Sequence, residues 1–565
     1  MMEDPNARVS ASSASMGQAL QSKQTGRTES DKSEPVATVT EANGGGVVRN
    51  KKKPLNFYLS FLAINVLILL YSLDATTLAV AIPSIAAELH GTTLESFWAS
   101  IAYYLGVVVA IPLYASVSDV FGRKSPLYVA FLLFAVGSVV FALAHNMGAI
   151  VAGRVLQGLG GGGLDVLGDI IVSDMTTLSE RPLYLGIMAL PVAIGSIIGP
   201  TVGALFSDFV TWRWIGWINL PLLGISFPLL LFFLRLRSLE TSLMTKVRRL
   251  DWVGIGLFSI GSTVFVLPLS WADSLYPWSA WQTILPLVLG IVVLSGFAIY
   301  ESKPEAPVIP HRLFRSRTAT VSLCGGFIHG MLLNTLLQYL PLFYQAVMLD
   351  TRIGSAVSLL PTSVACVVAA IVSVVAIGYR DLGYRWRIWF SWILVTLGTG
   401  LLLLLDSSSS TAMRYGIPII WGAGVGALLR LVHLPVQASV PTVDDTGAAI
   451  CLLLTFRVSG GLVGLSIGST LFSSVFGSSI AAIGELPDSL AALRDAHNAV
   501  SFVPILRTLD VAPDIIGPVL QVYLTSVRAI FYTMLGFSGL GFVSSLFTEE
   551  LSLDRTELGR QRFEE

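Results

Sequence analysis

Four charged side chains interrupt long apolar stretches of this sequence: Asp74, Arg154, Asp165 and Asp169. Charge inside a membrane helix is costly and usually faces a bundle interior or a wet cavity. An acid in such a low-dielectric site can bind and release a proton, and a nearby arginine can shift that balance. All four are therefore candidates for proton coupling. Asp165 is the first choice for the proton carrier because it lies deepest along its helix.

The spacing of these charges suggests which of them meet. At about 100° per residue, Asp165 and Asp169 lie about 20° and about 60° from Arg154, so the three share one helix face. Asp74 and Arg154 both fall in the outer half of their predicted spans, where an unpaired charge would be costly. We therefore predict an ion pair between them. Backbone carbonyls or Gln157 are alternative partners of Arg154, and Asp165 is its alternative partner in another step of a cycle.

A second group of polar residues could line a binding cavity. Asn334, Gln338 and Gln345 fall on one face of a predicted helix, at positions i, i+4 and i+11. Such a face suits amphipathic, aromatic-rich compounds, or equally a hydrogen-bonded seam between helices. The remaining cavity candidates are Gln157, Arg430, His433 and Arg457. For His433, a neutral, hydrogen-bonded packing role is the alternative.

The sequence gives no support to several other kinds of chemistry. It contains no zinc-ligand spacing, P-loop or nucleophile elbow, which argues against an enzyme, a metal site and the direct use of ATP. The three cysteines all lie in apolar segments and are interpreted as packed residues. The formal net charge is −1, so nothing suggests a nucleic-acid partner.

The composition indicates that membrane helices position the polar residues. Of the 565 residues, 53% are hydrophobic and 13% are charged, whereas a soluble domain has about 25% charged residues. About 20 apolar residues cross a bilayer core, and backbone groups in lipid must pair within their own segment, so the apolar runs should be helices. We predict about fourteen spans, at 57–82, 94–118, 126–145, 148–172, 184–208, 214–236, 252–272, 280–300, 318–347, 354–378, 386–406, 413–440, 450–477 and 526–548.

Basic residues set the predicted orientation of the spans. They are concentrated in the loops that share a side with the N-terminus, so the positive-inside rule places both termini in the cytosol. Residues 1–52 form a predicted disordered tail because their composition cannot bury a core. Residues 549–565 form a second cytosolic tail. The proline-containing segment 478–525 is predicted to be a long outward loop, with a short surface helix around Ser489–Asn498.

A charged turn joins predicted spans 2 and 3. Gly122 suits a tight turn, and Asp119 could pair with Arg123 or cap a neighbouring helix. Lys124 follows directly. The alternative interpretation is that these are ordinary charged residues of a surface loop.

Span 5 carries a stripe of glycines. Gly195, Gly199 and Gly203 recur at every fourth position, which makes a smooth surface for close helix packing. Pro200, within the stripe, is expected to kink the helix.

These motifs together resemble those of the major facilitator superfamily, and specifically its fourteen-span drug:proton antiporters, which are common in fungi. The resemblance extends over residues 57–548, with its five motifs in the right spans and order. The segments that carry it are Leu73–Pro83, Ala115–Lys124, Arg154–Gly158, Gly195–Ala204 and Phe456–Gly461.

Some positions depart from the family pattern. Ala115 and Val120 replace a glycine and an arginine of the loop motif, so its gate is either looser or held by Arg123. Ala204 replaces the last glycine of the span-5 motif. Arg430 and His433 are charges that the group does not ordinarily carry.

The resemblance implies an all-α polytopic membrane protein with the major facilitator fold. Two six-helix bundles, residues 53–238 and 304–548, would be related by an axis along the membrane normal. Residues 239–303 would supply two extra central helices and a linker. Substrate would bind near the midplane between the bundles, which rock to alternate access.

The function that the resemblance implies is secondary active export of small, amphipathic organic molecules in exchange for protons. The cargo would be a toxin, a secondary metabolite or a drug. No cofactor is expected, since the proton gradient is the energy source. The expected partners are substrate, protons and the lipid bilayer, and the chain is expected to be a monomer in the plasma membrane or, alternatively, the vacuolar membrane. The rival functions are an importer of a nutrient or siderophore and, more remotely, a non-transporting membrane receptor.

Overall fold

The computed structural model is a bundle of long helices. It describes residues 53–552 except 178–179, 237–249, 273–274, 305–306, 310, 377–382, 441, 443–444, 484–485 and 510–512. The main helices are α1 Leu55–Glu88, α2 Thr93–Phe121, α3 Lys124–Ala142, α4 Met147–Met175, α5 Arg181–Phe209, α6 Trp214–Phe233, α7 Trp252–Trp271, α8 Trp281–Tyr300, α9 Arg317–Ala346, α10 Arg352–Val375, α11 Tyr384–Leu402, α12 Thr411–Ala438, α13 Thr446–Ala481 and α14 Pro513–Ser545.

The helices have the lengths and surfaces of membrane spans. Thirteen helices in the described part of the chain are long and apolar enough to cross a bilayer. The remaining main helix, α11, occupies the eleventh predicted span, and the arginines of its first turn, Arg385 and Arg387, lower its hydropathy. Large apolar side chains such as Val292 and Phe390 point outward, as expected for contact with lipid. The chain is a multi-pass membrane protein.

The predicted outward loop is shorter than expected. Helix α13 continues to Ala481 and α14 begins at Pro513, whereas the sequence pattern predicts a loop over 478–525. The same pattern predicts Pro518 to be a loop residue, but it lies inside α14, in the second turn, and the helix continues through it although one backbone hydrogen bond is lost. The predicted surface helix is present as two 3₁₀ turns, Asp488–Arg494 and Ala496–Asn498.

The two sets of six helices repeat the same packing. In the N-terminal half, α1 packs on α5 and α2 on α4; in the C-terminal half, α9 packs on α13 and α10 on α12. The halves meet where α2 lies against α13 and α5 against α10. Helices α7 and α8 pack on each other, and α7 also contacts α2 and α13. The extra pair therefore lies beside one seam between the halves.

We define the two ends of the bundle by the direction in which α1 runs. The inner end, predicted to face the cytosol, is where α1 begins, and the outer end is where it finishes. Helix α4 starts at the outer end, where the side chain of Asn146 accepts a hydrogen bond from the Ala149 N–H at 2.8 Å. This cap fixes the start of the helix that carries Arg154, Asp165 and Asp169.

Candidate functional site

Asp74 and Arg154 form a buried ion pair within the N-terminal half. Arg154 Nη1 donates to Asp74 Oδ2 at 2.6 Å, and the two side chains are 2% and 0% exposed, respectively. Arg154 Nε also donates to the Ala99 carbonyl at 3.2 Å. The guanidinium carbon lies 4.1 Å from the centre of the Tyr103 ring. The predicted pair between α1 and α4 is confirmed.

Amide and hydroxyl side chains complete a network around this pair. Asp74 Oδ1 accepts hydrogen bonds from Asn219 at 2.9 Å and from Gln157 at 3.3 Å. Ser138 accepts from Gln157 at 3.0 Å and from Asn219 at 3.1 Å. The network links α1, α3, α4 and α6, so it fastens the N-terminal half internally. Sequence reasoning missed Ser138 and Asn219, although a polar residue in an otherwise apolar span was the available signal.

A cavity of about 130 Å³ lies between the two halves. Aromatic and amide groups meet across it: the Tyr104 hydroxyl donates to Asn334 Oδ1 at 2.5 Å, and Ser100 donates to Gln338 Oε1 at 3.3 Å. The polar and charged residues that line the cavity include Tyr71, Tyr104, Asp165, Asn334, Gln338, Arg430 and Arg457. Apolar side chains such as Ile68, Leu333 and Leu337 complete the lining. The surface is therefore amphipathic.

The charged groups of the cavity differ in how well they are paired. Asp165 is half-buried and forms no hydrogen bond or ion pair with any residue that the structure describes. Arg430 lies 3.9 Å from Asp169, a long ion pair, and its Nε has no partner among the described residues. Arg457 donates to the Leu429 carbonyl at 3.3 Å and contacts His433 at 3.1 Å. Asp165 is thus a carboxylate open to the cavity.

Several predicted residues lie outside the cavity lining, which corrects the sequence interpretation. Gln157 belongs to the ion-pair network. Gln345 donates to the Val80 carbonyl at 3.4 Å and to Ser355 at 3.1 Å. It is eleven residues beyond Asn334, or about 16 Å along the helix. It therefore lies on the same helix face as Asn334 but beyond the end of the cavity. His433 follows the break in α12 at Val432, and its ring contacts Arg457 instead of lining the cavity.

The proton-coupling candidates are also divided between two places. Asp165 lines the cavity, and Asp169 faces Arg430 near its inner end. Asp74 and Arg154 do not line it. Arg154 and Asp165 share a helix face, but eleven residues, or about 16 Å along the helix axis, separate them, so the shared face does not bring the two side chains together.

The charged turn after α2 is an ion-pair cluster at the inner end. Arg123 donates to Asp119 at 2.5 Å and to Asp174, at the end of α4, at 3.0 Å. The predicted pairing of Asp119 with Arg123 is confirmed, and Asp174 is a partner that sequence reasoning missed. Gly122 has φ of 85°, a conformation that favours glycine. Lys124 begins α3 and makes no ion pair with the described residues.

Contacts between the halves lie on both sides of the cavity. At the outer end, Arg352 of α10 pairs with Asp208 of α5 at 2.6 Å. At the same end, the hydroxyl of Thr93 in α2 donates to the His497 carbonyl at 2.7 Å. Towards the inner end, Arg430 of α12 also donates to the Met188 carbonyl of α5 at 3.3 Å. Opening the cavity to either end requires one set of contacts to part.

The glycine stripe of α5 packs directly on α1, as predicted. A Cβ added at Gly195 would lie 2.7 Å from the Ser72 Cβ. At Gly199 it would collide with the Thr76 hydroxyl, and at Gly203 with the Thr77 carbonyl. Pro200, within the same helix, lines the cavity. Close approach of α5 and α1 therefore depends on the absence of side chains.

Replacement of Gly199 by leucine is expected to abolish transport while the protein still inserts. Overpacking costs roughly 1–3 kcal/mol or more, and here it would separate two helices beside the cavity. Export per molecule at the cell surface is the measurement. Gly224→Leu is the matched control, because a Cβ at exposed Gly224 meets nothing within 4 Å. Normal export by surface-expressed Gly199→Leu protein would show that the stripe is not a tight contact.

Comparison with known proteins gives a consistent family. The model of the Major Facilitator Superfamily matches residues 64–465. The MFS-type transporter sphD of Aspergillus fumigatus is 53% identical over 99% of this chain and 99% of its own length. The efflux pump FUS6 of Gibberella fujikuroi is 34% identical over 90% of this chain and 92% of its own length. The acurin A biosynthesis cluster MFS-type transporter of Aspergillus aculeatus is also 34% identical, over 90% and 93% of the respective chains.

Solved structures share the fold at low sequence identity. The proton:xylose symporter XylE matches 89% of this chain and 98% of its own, with a TM-score of 0.55 and 11% identity. A bacterial homologue of the human lysosomal transporter Spinster matches 88% of this chain and 98% of its own, with a TM-score of 0.54 and 14% identity. The relatives are named as transporters and as an efflux pump, not as enzymes. This chain is a membrane transporter that belongs to the major facilitator superfamily.

Proposed function

We propose that the protein exports small, amphipathic organic molecules in exchange for protons, by alternating access to the cavity between its halves. The observation that carries the proposal is Asp165, an acid on the cavity wall without a partner among the described residues. A lone ionised carboxylate at membrane depth is costly. Binding a proton removes that cost, and so does binding a substrate that compensates the charge. Proton and substrate therefore compete for one site, as exchange requires.

The surrounding charges make the competition sensitive to conformation. Asp165 belongs to α4 of the N-terminal half, whereas Arg430 and Arg457 belong to the C-terminal half. Any rocking of the halves changes the distance between the acid and these two cations. When they approach, they favour the ionised acid and promote proton release; when they separate, they favour proton uptake. The movement that exposes the cavity to one end thereby sets the proton occupancy.

The long Arg430–Asp169 pair is suited to be the contact that breaks on the inner side. It joins α12 to α4 at 3.9 Å, longer than a close charge-assisted hydrogen bond. On the outer side, the Arg352–Asp208 pair at 2.6 Å joins α10 to α5. In the proposed cycle, one pair is broken while the other is formed. The Asp74–Arg154 network stays intact, so the N-terminal half moves as a unit.

The cavity surface favours a substrate with both apolar and hydrogen-bonding parts. Leucine and isoleucine side chains offer apolar contact, while Tyr104, Asn334 and Gln338 offer donors and acceptors. Relatives named as an efflux pump and as a biosynthesis-cluster transporter support export of a secondary metabolite, toxin or drug. We place the monomeric protein in the plasma membrane, with the vacuolar membrane as the alternative. The proton gradient supplies the energy without a cofactor.

A proton-release screen tests the exchange directly. Inside-out membrane vesicles are given ATP so that their resident proton pump acidifies the lumen, which a pH-quenched acridine dye reports. Amphipathic fungal metabolites and drugs are then added one at a time. At least one compound is expected to restore fluorescence in wild-type vesicles and not in Gly199→Leu vesicles.

The same vesicles test the energy source. A protonophore should stop accumulation of that compound although ATP remains. Continued uphill accumulation after collapse of the proton gradient would contradict antiport.

A further inference from the structure

A pair of buried carboxylates lies at the inner ends of the two extra helices, away from the central cavity. Asp251 precedes α7 and Glu301 follows α8, and they are only 9% and 3% exposed. One oxygen of each carboxylate accepts a hydrogen bond from a backbone N–H. Asp251 Oδ1 accepts from the Gly254 N–H at 2.8 Å and from the Tyr300 hydroxyl at 3.1 Å. Glu301 Oε1 accepts from the Ile309 N–H.

The other two carboxylate oxygens have no donor. Asp251 Oδ2 and Glu301 Oε2 are both buried and lack a hydrogen-bond partner in the part of the chain that the structure describes. They border the same small space. A Cβ added at Gly254 would collide with Asp251 Oδ2 and lie 3.1 Å from Glu301 Oε2. Two ionised carboxylates bordering one small buried space, with no donor for these two oxygens, would be strongly unfavourable.

We propose that Asp251 and Glu301 form a second proton-binding site, in which a single proton joins the two free oxygens. A proton fits this space better than a metal ion. Mg²⁺ and Ca²⁺ need about six or more oxygen ligands, and the two carboxylates offer only two free oxygens, both shielded from solvent. A shared proton converts two facing acceptors into one donor and one acceptor. The site is independent of Asp165 and of the proposed exchange.

The surrounding titratable groups are consistent with a proton bound near neutral pH. Burial raises the pKa of Glu301 to about 7, with the charge of Asp251 adding to the rise and the N–H groups of Ile309 and Val308 opposing it. Tyr300 already donates its hydroxyl to Asp251. The ring of His311, in the linker, faces the Ala298 carbonyl at 3.1 Å rather than either acid. Lys303 forms no ion pair with a described residue.

The shared proton would stabilise the contact that holds the linker into the C-terminal half; we call this contact the latch. Glu301 holds the backbone of Ile309, a few residues before α9 begins at Arg317. Because the pKa of Glu301 is raised above its ordinary value, the contribution of the latch is complete below that ordinary value and is lost as pH rises through about 7. Above that pH the two charges repel and the linker is released. The site therefore makes the inner end sensitive to pH on its own side of the membrane.

Infrared difference spectra of the purified full-length chain in lipid nanodiscs test the proposal. Between about pH 6 and about pH 8, a protonated-carboxyl band should disappear with a midpoint near the raised pKa of Glu301. In an Asp165→Asn background, which removes the carboxyl of the exchange site, the band should be absent in Glu301→Gln, which keeps the acceptor oxygen for Ile309. In Asp251→Asn, the midpoint should fall by about one pH unit or more, because the neighbouring charge is gone. Asp488→Asn removes an exposed acid and should change nothing.

Two further variants and readouts separate this site from the exchange site. The band should persist in Asp165→Asn, so failure of the proposed antiport leaves this result intact. Hydrogen exchange of the peptide containing Ile309, corrected for its intrinsic pH dependence, should rise about tenfold per pH unit above the midpoint in the wild type and in Asp165→Asn, but not in Glu301→Gln. In the Asp165→Asn background, a band that survives Glu301→Gln, a midpoint unmoved by Asp251→Asn, or one shifted by Mg²⁺ at constant ionic strength would overturn the proposal.

Discussion

Asp165→Asn is expected to uncouple export from the proton gradient while leaving the protein folded. Asparagine has nearly the same shape as aspartate, and Asp165 has no partner among the described residues to lose. The change therefore removes the exchangeable proton and the negative charge on which Arg430 and Arg457 act, without breaking a hydrogen bond to any described residue. If the proton gradient is coupled to export by about 1–3 kcal/mol, the gradient should accelerate export by the wild-type protein roughly 5- to 150-fold. In Asp165→Asn this acceleration should fall to about onefold. The measurement is the ratio of initial export rates with and without an imposed pH gradient.

Two variants sharpen this test. Asp165→Glu restores an acid on the cavity wall and should recover part of the acceleration. Asp406→Asn removes an acid from the turn between α11 and α12, where it binds Ser408 at 2.9 Å, and should leave the acceleration unchanged. If Asp165→Asn protein still exports faster under a gradient, the proton is carried by another acid.

Breaking the Asp74–Arg154 pair from one side is expected to damage the protein more than removing both charges. In Arg154→Gln the carboxylate of Asp74 stays fully buried without its cation, a loss of about 3–5 kcal/mol in the free energy of unfolding. Asp74→Asn leaves the buried guanidinium unpaired at similar cost. The double variant should recover part of the loss because no lone charge remains. Thermal unfolding of the purified proteins in lipid nanodiscs measures the three values.

The chain offers a matched surface pair for comparison. Arg213 and Glu88 pair at 3.0 Å, but their side chains are 27% and 52% exposed, and exposed pairs contribute about 0–1 kcal/mol. The same cycle on this pair should show small, nearly additive effects. Simple additivity for Asp74 and Arg154 as well would contradict a buried ion pair that stabilises the N-terminal half.

The spans were predictable because the bilayer imposes a direct requirement on composition. A helix that crosses lipid must be apolar over about 20 residues, and that signal located the helices to within a few residues in most places. It failed at α14, where Asp514, Pro518 and Gln521 dilute the hydropathy although the backbone is already helical. Hydropathy reports what faces lipid, whereas a helix can begin before it enters the membrane.

The candidate site was predictable only in part, for geometric reasons. The cost of an unpaired charge was enough to predict Asp74 with Arg154. Helical periodicity gave the shared face of Asn334 and Gln338, but it could not show where along that face the cavity ends, which is why Gln345 was misplaced. The partners Ser138 and Asn219 come from helices whose rotation the sequence does not specify. Cavity membership depends on the tilt and rotation of helices from both halves.

Coupled flux in liposomes that contain only the purified protein is the most direct test of proton-driven export. A transported compound from the vesicle screen is supplied at equal concentration on both sides, without ATP, and a pH gradient is imposed. The compound is expected to accumulate on the acidic side, with protons leaving that side in step, and both fluxes should vanish in Asp165→Asn. Net movement of the compound with no accompanying proton flux, or no dependence on the gradient, would contradict the exchange mechanism.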